Sequence, residues 1–129
     1  MPRIVEPLPF ARMMEAAGSL DYLGKETKVV VDRPMGSRHP RWGLEHPVNY
    51  GFVPGTVAAD GEQLDAYVLG VDVPLDSFQG VCVAVIRRLD DDDDKLVVVP
   101  QAMGIDDEST RRQTYFQEQF FTSRIERKG

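Results

Sequence analysis

The sequence predicts a mainly β (α+β) fold: a small five-stranded barrel with a short helix before it and a longer helix after it. Three observations lead there. Five apolar, β-branched segments follow one another between residues 27 and 100, with short turn-rich stretches between them. Helical spacing occurs only at the two ends of the chain. The 129 residues suffice for one core, so residues 1–129 are expected to form a single domain.

The elements can be justified in order. "LPFARMMEAAG" (8–18) reads as a short helix, because Pro9 suits a first turn and Gly18 a C-terminal stop. "TKVVVDR" (27–33) reads as a strand that ends at Pro34. Residues 34–49 are rich in Pro, Gly and His and read as a long structured loop. "YGFVPGTV" (50–57) is a second strand interrupted by a Pro-Gly turn, and "DAYVLGVDV" (65–73) a third. "GVCVAVIRRL" (80–89) is apolar enough for burial on both faces, and "KLVVVP" (95–100) is the fifth strand. Residues 106–127 predict an amphipathic helix, with Tyr115, Phe116, Gln119 and Phe120 at helical spacing, Ile125 continuing the apolar side and Ser109 as its cap. Strands joined by short turns suggest an antiparallel barrel, and five of them in this order fit an OB-like barrel.

Composition narrows the function. The hydrophobic fraction of 42% and charged fraction of 28% are those of an ordinary globular chain. No apolar run reaches membrane-spanning length, and "MPRIVEPLPF" lacks a signal-peptide core, so no membrane partner is expected. The single cysteine, Cys82, lies in the apolar run Val81–Ile86 and reads as a core residue. These features make a cytoplasmic location the expectation. The net charge of -6 leaves no basic stripe of the kind nucleic acid requires, so no nucleic-acid partner is expected either.

Negative charge is concentrated in two places. Asp60, Glu62 and Asp65 fall within six residues, and residues 90–94 are all aspartate. Crowded carboxylates repel. Exposure to water removes the cost, and so does a divalent cation, which takes oxygen ligands. If the two acidic loops share one barrel rim, they can hold metal ions that activate water and neutralise phosphate oxygens. Arg33, Arg41 and Lys95 flank the acids and supply the cations a polyphosphate needs.

The segment "VNYGFVPGTVAADGEQLDAYVLG" resembles the core signature of the soluble family I inorganic pyrophosphatases, an Asn-Tyr-Gly strand and then an Asp-Gly-Asp-x-x-Asp loop entering an apolar strand. "LDDDDDKLVVVP" resembles that family's second signature, acids followed by Asp-x-Lys-Leu and an apolar strand ending in Pro. The likeness runs from about Val29 to Pro100. It implies an OB-like barrel, Mg²⁺ as cofactor, pyrophosphate as the small-molecule substrate, hydrolysis to two phosphates, and assembly into a homo-oligomer.

Carried over by position, the resemblance implies Asp60, Asp65, Asp90 and Asp93 as metal ligands. Glu62 stands where the family has the aspartate that bridges metals and helps activate the water, so Glu62, Asp60 and Asp65 are the implied catalytic set. Tyr50 and Lys95 would contact phosphate. The N-terminal stretch fits in two registers, one making Arg33 the phosphate ligand and the other placing Asp32 at a family glutamate and Arg41 at a family lysine. Three departures stand out: the Glu at position 62, whose extra methylene moves the carboxylate by about a bond length; a short chain; and the absence of the family's late Tyr-Lys clamp, where Phe120 and Phe121 fall instead. Two alternatives stay open: hydrolysis of another phosphoanhydride, such as a nucleotide, and a non-catalytic phosphate- or nucleotide-binding module. Trp42 reads as packing against Pro40 or Pro47, and His39 and His46 as phosphate contacts or structural hydrogen bonds rather than metal ligands.

Overall fold

A computed structural model describes residues 18–38, 43, 45–56, 61–90 and 93–128. The helix expected over 8–18 lies outside them, Gly18 excepted, as do Asp60, Arg41, Trp42 and His39. A single 3-10 turn, Ser19–Tyr22, leads into β1 (Glu26–Arg33), β2 (Asn49–Phe52), β3 (Asp65–Val68), β4 (Ser77–Arg88) and β5 (Lys95–Val99). α1 (Asp107–Glu118) and β6 (Ser123–Glu126) follow.

The sheet runs β1-β2-β3-β5-β4, and β1 pairs again with β4, which closes a five-stranded barrel. β4, at 12 residues, is long enough to pair with β1 through its first half and with β5 beyond it. The barrel expected from the five apolar segments is therefore present, as an OB-like mainly β fold. It is not wholly antiparallel, because β3 and β5 pair in parallel with Asp65 opposite Lys95.

Strand alternation sorts the side chains into two layers. Val29, Val31, Ala66, Val68, Cys82, Val85, Leu96 and Val98 form one cluster, the barrel interior. Tyr50, Tyr67, Ala84, Ile86, Val97 and Val99 point the other way, and Phe116 of α1 and Ile125 of β6 pack on them. All five residues of β5 are buried for this reason. Cys82 is wholly buried, as its apolar neighbours predict.

The Asn-Tyr-Gly segment has a physical explanation at each position. Asn49 is wholly buried. Its Oδ1 accepts from the backbone N–H of Met35 (2.8 Å) and Leu75 (3.1 Å), and its Nδ2 donates to the carbonyl of Val73 (2.9 Å), so one amide joins two loops. At Gly51 the backbone of β1 comes so close that a Cβ would collide with the Val30 carbonyl. Between them, Tyr50 is left facing the outer layer.

The C-terminal region differs from the expectation. The helix does not extend over 106–127; it ends at Glu118. Asp106, not Ser109, is the N-cap, accepting from the Ser109 N–H at 2.8 Å. The buried face is Thr110, Thr114 and Glu118, whereas Tyr115 and Phe120 are 62% and 67% exposed. The threonines can be buried because their hydroxyls donate to the carbonyls of Asp106 and Thr110, one turn back. After Glu118 the chain reverses. The Asp90 carboxylate accepts from the Thr122 N–H at 3.0 Å, Leu89 N–H donates to Thr122 O at 2.7 Å, and Ser123–Glu126 adds a sixth strand to β4. No helix among the described residues is long and apolar enough to cross a membrane.

Candidate active site

The site lies on the outer layer, between the barrel wall and α1. Alternation puts Tyr50, Asp65, Lys95 and Arg88 on that one face, since each is an even number of residues from an outer-layer neighbour on its own strand. Arg33 reaches it by a different route. By strict alternation it would follow Val29 and Val31 inward. A bulge between Val31 and Arg33 shifts the register so that Arg33 stands opposite Tyr50, and facing residues of paired strands share a side.

Lys95 is the centre. Its Nζ donates to Asp65 Oδ2 at 2.6 Å and to Asp93 Oδ2 at 2.9 Å, and it lies 5.5 Å from the centre of the Tyr50 ring. Its side chain is 3% exposed, while the two carboxylates are 32% and 29% exposed. Burial alone would lower the Lys95 pKa. Tyr50 and the Asp65 carboxylate more than offset that, so the ammonium is held above its usual range and stays charged. Burial is also the main force on Tyr50, whose phenol is pushed well above its usual value and stays neutral.

A second cation, Arg88, was read only as the end of an apolar strand. It is 8% exposed. Nε and Nη2 donate to the two oxygens of Glu118 at 3.0 and 2.9 Å, Nη1 donates to Asp93 at 3.2 Å, and the Phe121 ring lies 3.6 Å from the guanidinium. Tyr67 also donates to Glu118, at 2.6 Å, and Gln117 donates to the Tyr67 hydroxyl at 2.7 Å. Burial works against the Arg88 charge, but Glu118 and Asp93 hold its pKa above the normal range. Burial and the Glu118 charge likewise keep Tyr67 neutral. The only sequence signal for this group was a pair of arginines closing a strand whose alternate residues are apolar.

Of the residues singled out from the sequence, Asp65, Asp93, Lys95 and Tyr50 are brought together, and Arg33 lines the same cavity. Asp90 is exposed and engaged with the Thr122 N–H. Glu62 is exposed on the approach to β3. Asp94, read as a solvated loop residue, accepts from Ser19 Oγ at 2.6 Å and lies 3.4 Å from Arg87 Nε. His46 is buried, its ring 5.3 Å from Phe116 in an edge-on contact.

These groups surround a cavity of about 670 Å³. Among the described residues no group of three or more His, Cys, Asp or Glu forms a metal cluster. Asp65 and Asp93 nevertheless meet on one lysine nitrogen, and an all-oxygen pair of that kind suits a hard divalent cation.

A closed small barrel whose outer face gathers two carboxylates, a buried lysine, a tyrosine and arginines defines a site for a multiply charged phosphate ligand. A family model described as inorganic pyrophosphatase matches residues 17–125, so the chain belongs to the inorganic pyrophosphatase family. Among curated proteins, the inorganic pyrophosphatase of Gluconobacter oxydans is 42% identical over 50 residues, 36% of this chain and 29% of that protein. That of Aeropyrum pernix is 39% identical over 63 residues, 46% of this chain and 36% of that protein. The matched stretch thus spans about a third of these relatives' length. Two solved structures share the fold: an inorganic pyrophosphatase from Ehrlichia chaffeensis (TM-score 0.65, 18% identity, 87% of this chain and 90% of that one) and one from Helicobacter pylori (0.62, 20%, 80% and 85%).

Proposed function

We propose that the protein hydrolyses inorganic pyrophosphate to two phosphates with Mg²⁺ as cofactor. The observation that carries this is the convergence of Asp65, Asp93, Lys95 and Tyr50 on one cavity, in a chain of the inorganic pyrophosphatase family.

Asp65 and Asp93 would hold the metal, with Asp60 and Asp90 completing its oxygen shell. When bound, the metal supplies charge neutralisation and a more acidic water. Glu62 takes the proton of the attacking water. Lys95 stays charged and bonds a phosphate oxygen, while neutral Tyr50 donates its hydroxyl to the same group. Arg33, or Arg41 in the other register, forks onto the leaving phosphate. The water oxygen bonds to one phosphorus as the bridging P–O bond breaks. The electron pair stays on the bridging oxygen, which departs with the second phosphate.

Phosphate release from pyrophosphate, measured with and without Mg²⁺, tests this. Release should require the metal and be lost in Asp65→Asn, a variant whose melting temperature must stay near that of the parent. Persistent turnover in that variant refutes the assignment.

A further inference from the structure

We infer that the same cavity takes a nucleoside polyphosphate, with the base against Phe120 and the phosphates at Arg33, Tyr50 and Lys95. This further activity rests on the proposed phosphate chemistry of the site. Size is the first observation. At about 670 Å³ the cavity falls within the range of about 300–1,000 Å³ that accommodates drug-sized ligands, far larger than bare pyrophosphate.

Its two ends differ in chemistry. Arg33 and Lys95 mark one end. The other is walled by Phe116 and Phe120. Phosphate gains nothing from phenyl rings, whereas a nucleobase gains stacking from them. Phe120 is 67% exposed, a large open ring beside a charged cavity. Among the described lining residues no aliphatic side chain occurs, so the apolar wall is aromatic and favours a flat ring over a lipid tail. Glu45 and Gln117 add polar groups to the lining for a base edge.

Arg33 supplies the last observation. Lys95 and Arg88 are bound to Asp65, Asp93 and Glu118. The Arg33 guanidinium makes no ion pair among the described residues, although it lines the cavity. It can fork onto a phosphate that extends beyond the reach of Lys95.

The chemistry balances as it does for pyrophosphate. A water oxygen bonds to the terminal phosphorus, and the P–O bond to the bridging oxygen breaks. That oxygen keeps the electron pair and leaves on the shortened nucleotide. The proton of the water passes to Glu62. The products are inorganic phosphate and a nucleotide shorter by one phosphate.

Phosphate release should be measured with Mg²⁺ on pyrophosphate, ADP and tripolyphosphate, for the parent protein and Phe120→Ala. ADP binding should be followed by calorimetry. We expect ADP to be hydrolysed, and Phe120→Ala to lower kcat/KM for ADP by about tenfold, the effect of losing one stacked base. Pyrophosphate and tripolyphosphate should change less than about twofold, since neither carries a base. The inference is overturned if pyrophosphate is cleaved but ADP is neither cleaved nor bound, or if Phe120→Ala slows all three alike. It is also overturned if a prenyl diphosphate competes better than ADP. If pyrophosphate is not cleaved, the hydrolase proposal fails separately. In that case ADP binding weakened by Phe120→Ala still upholds the nucleotide site, and absence of ADP binding overturns it.

Discussion

Removing Glu118 should expose how much of this protein's stability rests on one buried ion pair. Glu118 and Arg88 are 8% and 6% exposed, and the carboxylate accepts from Nε and Nη2 of Arg88 and from the Tyr67 hydroxyl. Glu118→Ala leaves a guanidinium buried beside Phe121 with its main counter-charge gone. Breaking a buried pair in this way typically costs about 3–5 kcal/mol. Asp93 at 3.2 Å retains part of the compensation, which favours the lower end, about 3 kcal/mol. The stranded Tyr67 hydroxyl adds about 1 kcal/mol, for a total near 4 kcal/mol. With a urea m-value of about 2 kcal/mol/M, the unfolding midpoint should fall by about 2 M. A double variant, Arg88→Met with Glu118→Leu, should recover most of that loss, because the cost lies in the stranded charge. A midpoint shift below about 0.5 M for Glu118→Ala, or no recovery in the double variant, refutes the reasoning.

Two further outcomes concern the barrel itself. Gly51→Ala forces a Cβ into the Val30 carbonyl and should destabilise by at least the ~1–3 kcal/mol of an overpacked core, seen as a lower melting temperature; an unchanged value contradicts the close approach. Burial pushes the Cys82 thiol up from 9.0 to about 11. Above pH 9 the unfolded chain releases this proton while the folded chain keeps it, so up to about 3 kcal/mol of stability should drain away as pH rises from 9 to 11. Cys82→Ala should flatten the stability profile over that interval, and identical slopes would exclude the thiol as the cause.

The strands were legible because their signal is local. Runs such as "TKVVVDR" and "KLVVV" carry β-branched residues between turn signals, and both became strands within a residue or two of the expected bounds. The parallel pairing of β3 with β5 was not legible, because nothing within a strand records which neighbour it will meet. The helix was overextended for a related reason. Phe120 and Ile125 continue its spacing, but the reversal after Glu118 is fixed by Asp90 and Leu89, some thirty residues back, and by the open edge of β4. The buried helix face escaped notice because it is polar. Thr110 and Thr114 satisfy their own hydroxyls, and Glu118 is matched by Arg88, a partner that only the fold supplies.

The same distinction explains the candidate site. The motif residues Asp65, Asp93, Lys95 and Tyr50 could be listed from the sequence, but not the electrostatic logic that joins them. Two carboxylates placed this close would repel. Lys95, buried between them, donates to both and removes that cost before any ligand arrives. Arg88 donates to Asp93 from the other side and is itself balanced by Glu118. The acids are therefore preorganised by fixed cations, with about a third of each carboxylate still open to solvent. A divalent ion entering here would meet oxygens already in position rather than having to gather them. This favours binding, since the ordering cost is met during folding. Arg33, brought round by a one-residue bulge, faces the same cavity without an acidic partner among the described residues. The folded protein thus separates two tasks: cations that hold the acids in place, and a cation left to meet the phosphate.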